Sequence, residues 1–542
     1  MWRLILMISS YWILGIHCDS PIVTLPTGKI EGLISKTYRN EKTFYAFMGI
    51  PFAAPPVGTL RFKPPQQSEN WEGVLQTKSL PKMCYNVQKE LPRQDEDCLY
   101  LNVFSPVKPY SNASLPVIVN IYGGAFVHGS ATSDIKRPQN FLEQDILVVD
   151  FNYRVGPFGF LSTGDEVISG NMGLKDQQFA LKWVQTNIHL FGGDPGKVTI
   201  MGQSAGGASV TYHILSPGSA GLFRAAIAQS SSALCSFAHQ DNGVEIAYGI
   251  AGLIDPSFDK NRTSQELLDF LQSVDVKEIT KTADKYHVFA PTIEVEQPDA
   301  FITEPMFESV KYGNLNRVPL LIGFCSEEEI KHLNDLSIWR HFVGKTYQND
   351  ESLVPSSMNI MDKTMLLEVG EKIKRIYSNQ THLVDDLGRA LQMLSDNQYI
   401  RPVIKFAELL SQYSDVFLYQ FSYQGAISNN HIDFEGVSGV GHSEDMKYLW
   451  TYFTDLDSFP LSDVQTVDRY VGLSTNFVKY LNPTPIAEDL FGNITFPRLT
   501  KNEIHYVDIR KELMVKKHPR EFSYEKWNEL FDAYANEPLI IF

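Results

Sequence analysis

The chain has 542 residues, of which 43% are hydrophobic and 20% are charged, so it can bury a core as large as that of a globular enzyme. Its formal net charge is −16, and neither Lys nor Arg forms a long run. This balance argues against nucleic acid and anionic membrane surfaces as partners, because both are bound by basic patches.

The N-terminal segment, residues 1–18, has the pattern of a secretory signal. Arg3 precedes an apolar stretch from Leu4 to Gly15, and small or polar residues follow before Asp19. A membrane anchor is the competing interpretation, but the apolar run is shorter than the roughly 20 residues that a bilayer span needs. We therefore expect a secreted protein with no membrane anchor, whose mature chain is 19–542.

Four Asn-X-Ser/Thr sequons fit an exported chain and predict N-glycosylation. They begin at Asn112, Asn261, Asn379 and Asn493.

Four cysteines remain once Cys18 leaves with the signal, and they allow three pairings. Cys84 and Cys98 are close in sequence and flank a polar loop, which favours a disulfide between them in an oxidising compartment. Cys235 and Cys325 each end an apolar run and lack metal-ligand spacing. We expect these two to be buried thiols, and we predict no metal site.

Strand-like and helix-like segments alternate along the chain, a pattern typical of a parallel sheet flanked by helices. Residues 175–184 have helical spacing, and no linker separates the two halves, which favours one domain over 19–542. Residues 235–317 and 330–415 are more polar and predict helical insertions over the C-terminal edge of the sheet. The predicted strands are 116–121, 146–152, 198–201, 225–229, 318–324 and 416–423.

A serine follows one predicted strand in the sequence Gly202-Gln203-Ser204-Ala205-Gly206. Small residues on both sides let the backbone turn sharply from strand to helix, which would expose the Ser204 hydroxyl beside free helix N–H groups. The pattern is that of a G-x-S-x-G nucleophile elbow. A glycine-rich turn with an idle serine is the alternative, so partners for Ser204 decide between them.

An acyl-transfer enzyme also needs donors aimed at the developing oxyanion. Gly123 and Gly124 follow the predicted strand 116–121 and leave the sheet at the same edge as Ser204. We expect their N–H groups, with that of Ala205, to form an oxyanion hole. A plain glycine loop is the alternative.

A serine nucleophile requires a histidine base and a carboxylate that fixes the histidine tautomer. His442 lies in a glycine-spaced loop after the predicted strand 416–423, although a surface histidine is the alternative. The order Ser, acid, His points to the acidic run Glu327, Glu328 and Glu329 after strand 318–324. Position alone does not choose among the three, and a solvated acidic run is the alternative.

Three further segments carry a recognisable pattern beside the Ser204 elbow and the His442 loop: 96–103, 152–156 and 170–177. Together these segments resemble type-B carboxylesterases of the α/β-hydrolase fold, the family that contains cholinesterases and insect esterases. The resemblance extends over nearly the whole mature chain. It implies that Glu328 is the acid and that Cys84 and Cys98 form a disulfide. We expect no metal or organic cofactor.

Departures from the family pattern bear on the substrate. Cholinesterase-like members carry Glu before the nucleophile and a Trp in the first disulfide loop, whereas this chain has Gln203 and no Trp between Cys84 and Cys98. A quaternary ammonium substrate is therefore not expected, because such a cation is usually held by aromatic faces. Tyr122 stands where many relatives place His.

The sequence thus predicts a serine carboxylesterase that acts on uncharged, apolar esters through an acyl-enzyme. Gln203 also occurs in juvenile hormone esterases, so a hydrolase of that kind is the leading specific alternative. A catalytically silent adhesion or binding ectodomain of the same fold is the rival from another class. The sequence does not fix the oligomeric state or the physiological ester.

Overall fold

A computed structural model of the chain provides the fold. The predicted signal segment, residues 1–18, lies outside the described residues. The structure describes residues 20–87, 91–131, 137–286, 288–332, 336–428, 433–434, 436–500 and 503–542.

The described residues alternate between strands and helices from residue 100 onward. The strands are β1 (Ile22–Leu25), β2 (Gly28–Glu31), β3 (Leu33–Lys36), β4 (Thr43–Pro51), β5 (Val74–Gln76), β6 (Tyr100–Ser105), β7 (Leu115–Ile121), β8 (Leu147–Phe151), β9 (Gly193–Gln203), β10 (Ala225–Gln229), β11 (Leu320–Cys325), β12 (Val416–Phe421), β13 (Asp433–Phe434), β14 (Val437–Ser438), β15 (His505–Ile509) and β16 (Leu513–Lys517). The helices are α1 (Gln139–Glu143), α2 (Gly156–Phe160), α3 (Met172–Asn187), α4 (Ala205–Leu215), α5 (Gly243–Ile254), α6 (Ser264–Ser273), α7 (Val276–Ala283), α8 (Met306–Tyr312), α9 (Leu336–Thr346), α10 (Lys363–Tyr377), α11 (Leu387–Ser395), α12 (Arg401–Leu410), α13 (Met446–Leu449), α14 (Leu461–Tyr480) and α15 (Glu521–Tyr534).

One eleven-stranded sheet organises the described part of the chain, in the order β16-β15-β12-β11-β10-β9-β7-β8-β6-β4-β3. The strands from β15 to β8 run parallel to their neighbours, whereas the pairs at both ends of the sheet are antiparallel. The prediction of a mostly parallel sheet flanked by helices is confirmed. The antiparallel strands at the N-terminal end lie before residue 116, where no strand was predicted.

The central strands are buried on both faces, which explains their continuous apolar composition. In β7, Val117, Val119 and Ile121 point into one hydrophobic cluster and Ile118 points into the other. This alternation follows from the two-residue period of a strand. The sheet is therefore a rigid support whose C-terminal edge can hold side chains in fixed positions.

Two helical segments follow the C-terminal ends of β10 and β11, close to the predicted boundaries 235–317 and 330–415. The first segment contains α5 to α8, and the second contains α9 to α12. Helix α12 contacts β11 and β12, so the end of the second segment flanks the sheet.

The described residues contain no helix that is long and apolar enough to span a bilayer. They also contain no group of three or more His, Cys, Asp or Glu side chains that could hold a metal ion.

Candidate active site

Ser204 lies at the junction between β9 and α4, with φ of 59° and ψ of −129°. Such a positive φ is sparsely populated by residues with a side chain and persists only where the surroundings enforce it. The Ser204 N–H donates to Gln229 O on the neighbouring strand at 2.9 Å. The turn therefore has the geometry that the G-x-S-x-G pattern predicts.

The glycines of the elbow are required by close backbone contacts. A Cβ on Gly202 would lie 2.3 Å from Gly206 O, and a Cβ on Gly206 would lie 2.1 Å from Ile121 O. No side chain fits at these distances. The elbow is thus pressed against the end of β7, where the predicted oxyanion loop begins.

Gly123 brings that loop into direct contact with the serine. A Cβ on Gly123 would lie 2.9 Å from Ser204 Cβ and 2.3 Å from Gln203 O. Within the described residues, the N–H groups of Gly123 and Gly124 donate no hydrogen bond to protein. Ala205 is the first residue of α4, where the N–H has no partner within the helix. All three donors are therefore available for a negatively charged oxygen near Ser204.

Glu328 and His442 form the second half of the site. His442 Nδ1 lies 2.6 Å from Glu328 Oε2, and both side chains are buried. The second carboxylate oxygen, Oε1, accepts the Cys325 N–H at 2.7 Å. Because the carboxylate accepts from Nδ1, the proton of a neutral His442 lies on that nitrogen, and Nε2 can accept a proton from a hydroxyl.

The other two glutamates of the acidic run have different partners. Arg520 Nη2 donates to Glu327 Oε1 at 2.5 Å, and burial raises the pKa of Glu327 while Arg520 lowers it. The backbone N–H of Glu329 donates to Ser395 Oγ at 3.1 Å. All three glutamates are buried, so the interpretation of this run as a solvated acidic face is wrong.

Three further side chains surround His442. The Gln203 amide nitrogen lies 3.2 Å from His442 Nε2 and donates to Ser443 Oγ at 2.7 Å. The Tyr399 ring lies 4.7 Å from the imidazole, centroid to centroid. Gln203 was used above as evidence against a cationic substrate, but its contact with His442 was not predicted. Residues 203 and 442 are joined only by the fold, so no local pattern could have revealed the contact.

Comparisons with known proteins show which family the chain belongs to. The model of the carboxylesterase family matches residues 19–527. The chain belongs to the carboxylesterase family. It is a carboxylic ester hydrolase with the α/β-hydrolase fold, as the resemblance implied.

Among its relatives, the juvenile hormone esterase of Tribolium castaneum is 32% identical over 524 residues, which cover 88% of this chain and 86% of that one. A carboxylic ester hydrolase of Bombus ignitus is 35% identical over 453 residues, covering 79% of this chain and 80% of that one. The crystal structure of juvenile hormone esterase from Manduca sexta, with OTFP covalently attached, superposes with a TM-score of 0.84 at 27% identity. That superposition covers 95% of this chain and 100% of the other.

The site of this esterase has a further buried carboxyl, Asp445, which the sequence analysis did not single out. Its Oδ2 accepts from the Tyr470 hydroxyl at 3.0 Å and from the Gln229 amide at 3.5 Å. Burial, helped by the charge of nearby Glu328, raises the pKa of Asp445 to about 6. A buried carboxyl with a raised pKa therefore lies close enough to Glu328 to be affected by its charge.

The cysteines behave as the sequence analysis predicted. Cys84 and Cys98 form a disulfide. Cys235 and Cys325 are free and buried, and burial raises the pKa of Cys235 to about 11. Neither free cysteine is therefore a reactive thiolate at neutral pH.

The four predicted glycosylation sites lie on the surface. Each sequon asparagine is exposed, which an attached glycan requires, and glycosylation stays a prediction. The four residues are Asn112, Asn261, Asn379 and Asn493.

Proposed function

We propose that this esterase hydrolyses its substrate in two steps through an acyl-enzyme on Ser204. Ser204 Oγ attacks the ester carbonyl carbon while His442 Nε2 takes the hydroxyl proton, and Glu328 stabilises the imidazolium. The oxyanion is bound by the N–H groups of Gly123, Gly124 and Ala205. The leaving alcohol then takes the proton from His442, and a water molecule repeats the sequence to release the acid.

The contact between Glu328 and His442 carries this proposal. A carboxylate 2.6 Å from Nδ1 holds the imidazole in the tautomer that a general base needs. A silent binding ectodomain would have no need for this buried pair beside a strained serine. The intact set of Ser204, Glu328 and His442 therefore favours catalysis.

The substrate that we propose is an uncharged, apolar carboxylic ester. Gln203, next to the nucleophile, is neutral, so no carboxylate at this position attracts a cation. A juvenile-hormone-esterase-like activity is the second candidate, supported by Gln203 and by the relatives named above. No metal or organic cofactor enters either scheme.

We further propose that the protein is secreted and glycosylated after removal of residues 1–18. Residues 19–542 would act as one domain, since the central sheet draws its strands from Leu33 through Lys517.

A serine-directed organophosphate tests the catalytic assignment. We expect one adduct, on Ser204, because this is the hydroxyl to which we assign both a base and oxyanion donors, and peptide mass mapping locates it. Ser204→Ala serves as the control and should remain unlabelled. Labelling at another residue, or no labelling of the folded protein, would favour the silent ectodomain.

A further inference from the structure

Two tyrosines at the ends of β7 and β8 hold each other through reciprocal hydrogen bonds. The Tyr122 hydroxyl donates to Tyr153 O at 2.7 Å, and the Tyr153 hydroxyl donates to Tyr122 O at 2.8 Å. Their rings are stacked, with centroids 4.2 Å apart and an interplanar angle of 18°. Both residues are buried.

The two hydrogen bonds act on different peptide units. Tyr122 O belongs to the same planar peptide unit as the Gly123 N–H. A hydrogen bond to that carbonyl therefore fixes the direction of the Gly123 N–H and, through polarisation of the peptide, strengthens it as a donor. Tyr153 O belongs to the peptide that leads to Arg154, so the reciprocal bond does not touch the oxyanion loop in this way.

The position of the Gly123 peptide is critical because Gly123 lies directly against Ser204. A Cβ on Gly123 would lie 2.9 Å from Ser204 Cβ, so a small rotation of this peptide would change the distance from its N–H to an oxygen formed at the serine. An oxyanion donor acts only when it is already aimed at the charge that develops.

We propose that Tyr153 is a positioning residue of the oxyanion hole, acting through its hydroxyl on the Tyr122–Gly123 peptide. This inference rests on the proposed role of Gly123 as an oxyanion donor. It adds a residue that touches neither substrate nor nucleophile, and it assigns unequal roles to two tyrosines whose hydroxyls donate to each other's carbonyl oxygens. The Tyr122 hydroxyl also accepts the Tyr153 N–H at 3.3 Å, a bond that lies on the β8 side of the pair.

Burial keeps both hydroxyls in the donating form. It raises the pKa of Tyr122 and of Tyr153 well above the ordinary range, so neither phenol ionises at working pH. Removal of the Tyr153 hydroxyl would leave Tyr122 O without this donor in a buried place, where an unpaired carbonyl is costly. The peptide would then turn towards another partner.

Tyr153→Phe and Tyr122→Phe make a matched pair, because each keeps a ring and removes one hydroxyl. We expect Tyr153→Phe to lower kcat about tenfold with KM almost unchanged, the loss that one hydrogen bond of about 1.4 kcal/mol implies. Tyr122→Phe should lower kcat by about twofold or less, since it leaves the Gly123 peptide held. Rates are expressed per site titrated with the organophosphate, which corrects for any misfolded fraction.

A second readout separates oxyanion binding from general damage. A trifluoromethyl ketone forms an oxyanion on the serine, whereas the methyl ketone with the same chain serves as the ground-state analogue. Tyr153→Phe should weaken the binding of the trifluoromethyl ketone by the same factor by which it lowers kcat. The affinity for the methyl ketone should stay unchanged. Equal losses in the two tyrosine variants, or no loss in Tyr153→Phe, would overturn the role of Tyr153.

The affinities of the wild-type protein for the two ketones test the proposed oxyanion hole itself. If it binds the trifluoromethyl ketone no more tightly than the methyl ketone, the oxyanion hole itself is wrong. If it shows the preference and Tyr153→Phe keeps it in full, only the inference about Tyr153 fails.

Discussion

The side chains of Glu328 and His442 are joined by a hydrogen bond of 2.6 Å, and their backbones are joined as well, since the His442 N–H donates to Glu328 O at 2.9 Å. The Glu327 N–H also donates to Val440 O at 3.0 Å. These contacts fasten the acidic loop after β11 to the histidine loop. The register between the loops places one glutamate of the run, and neither of its neighbours, on the imidazole.

Replacing Glu328 with Gln tests this register. We expect kcat/KM to fall by orders of magnitude, because an amide neither fixes the base tautomer nor stabilises the imidazolium. In the wild type, kcat/KM should rise with pH through one group as the imidazole loses its proton. Steady-state kinetics from pH 5 to 9 measure both effects.

Glu327→Gln is the matched control for that experiment. It removes the charge of one of the two carboxylates that pair with Arg520, the other being Asp396, so we expect lower stability but retained kcat per titrated site. Glu329→Gln should likewise keep kcat. An active Glu328→Gln beside an inactive Glu327→Gln or Glu329→Gln would show that the acid has been misassigned.

The sequence predicted the elbow and the oxyanion loop because both depend on local rules. Glycines on either side of Ser204 permit a turn that other residues would block, since a Cβ at Gly202 or Gly206 would lie 2.3 or 2.1 Å from a backbone oxygen. The choice of Glu328 among three glutamates came from family resemblance. It depends on a loop register over more than a hundred residues, which no local pattern encodes.

Strand boundaries show a different limit. The sequence predicted a strand at 198–201, whereas β9 runs over Gly193–Gln203. Asp, Pro and Gly, the residue types at positions 194–196, are depleted in strands, so the predicted strand begins five residues after the start of β9. Leu115 of β7 pairs with Gly193 of β9. Pairing with the neighbouring strand therefore extends β9 through residues of low strand propensity.

Asp445 predicts a specific pH dependence of stability. Its pKa is raised from 3.8 to about 6 in the folded protein, so the native state binds this proton more tightly than the unfolded chain. Stability from this group is therefore fully present below about pH 4 and is lost as the pH rises through about 6. The free energy of unfolding of Asp445→Asn relative to wild type should rise by roughly 2 kcal/mol between pH 4 and pH 7.

Urea unfolding at matched pH values measures that difference. Asn keeps the shape and cannot ionise, so the comparison isolates one titration from the carboxylates that the two proteins share. A difference that is flat from pH 4 to pH 7 would contradict an elevated pKa at Asp445.

Arg154 and Asp176 link two segments that carried the family resemblance. Arg154 Nη2 lies 2.7 Å from Asp176 Oδ1, and both side chains are almost fully buried. Asp176→Ala should cost about 3–5 kcal/mol of unfolding free energy, because it leaves a buried guanidinium without its counterion. Glu245→Gln removes an exposed partner of Lys260 and should cost far less, because solvent screens an exposed ion pair. Similar losses in the two variants would show that burial does not decide the strength of these pairs.

The remaining prediction concerns how the charge of the substrate affects its hydrolysis, and it depends on the neutral side chain of Gln203. A choline ester and its uncharged isostere, with tert-butyl in place of trimethylammonium, have nearly the same shape. We expect the wild type to hydrolyse the neutral ester at least as well, because Gln203 supplies no charge beside the nucleophile. The ratio of the two kcat/KM values isolates the electrostatic contribution.

Gln203→Glu places a carboxylate next to His442 Nε2 and Ser443 Oγ, which the amide nitrogen now contacts at 3.2 and 2.7 Å. This variant should shift the ratio towards the choline ester, because a carboxylate attracts the trimethylammonium cation and not its uncharged isostere. It should also move the pH profile of kcat/KM upward, since a nearby negative charge favours the imidazolium. Phe126 is fully buried and the Tyr122 ring stacks on Tyr153, so neither ring can receive a cation. A wild-type preference for the charged ester would therefore point to the Tyr399 ring beside His442, and Tyr399→Leu would then have to abolish it.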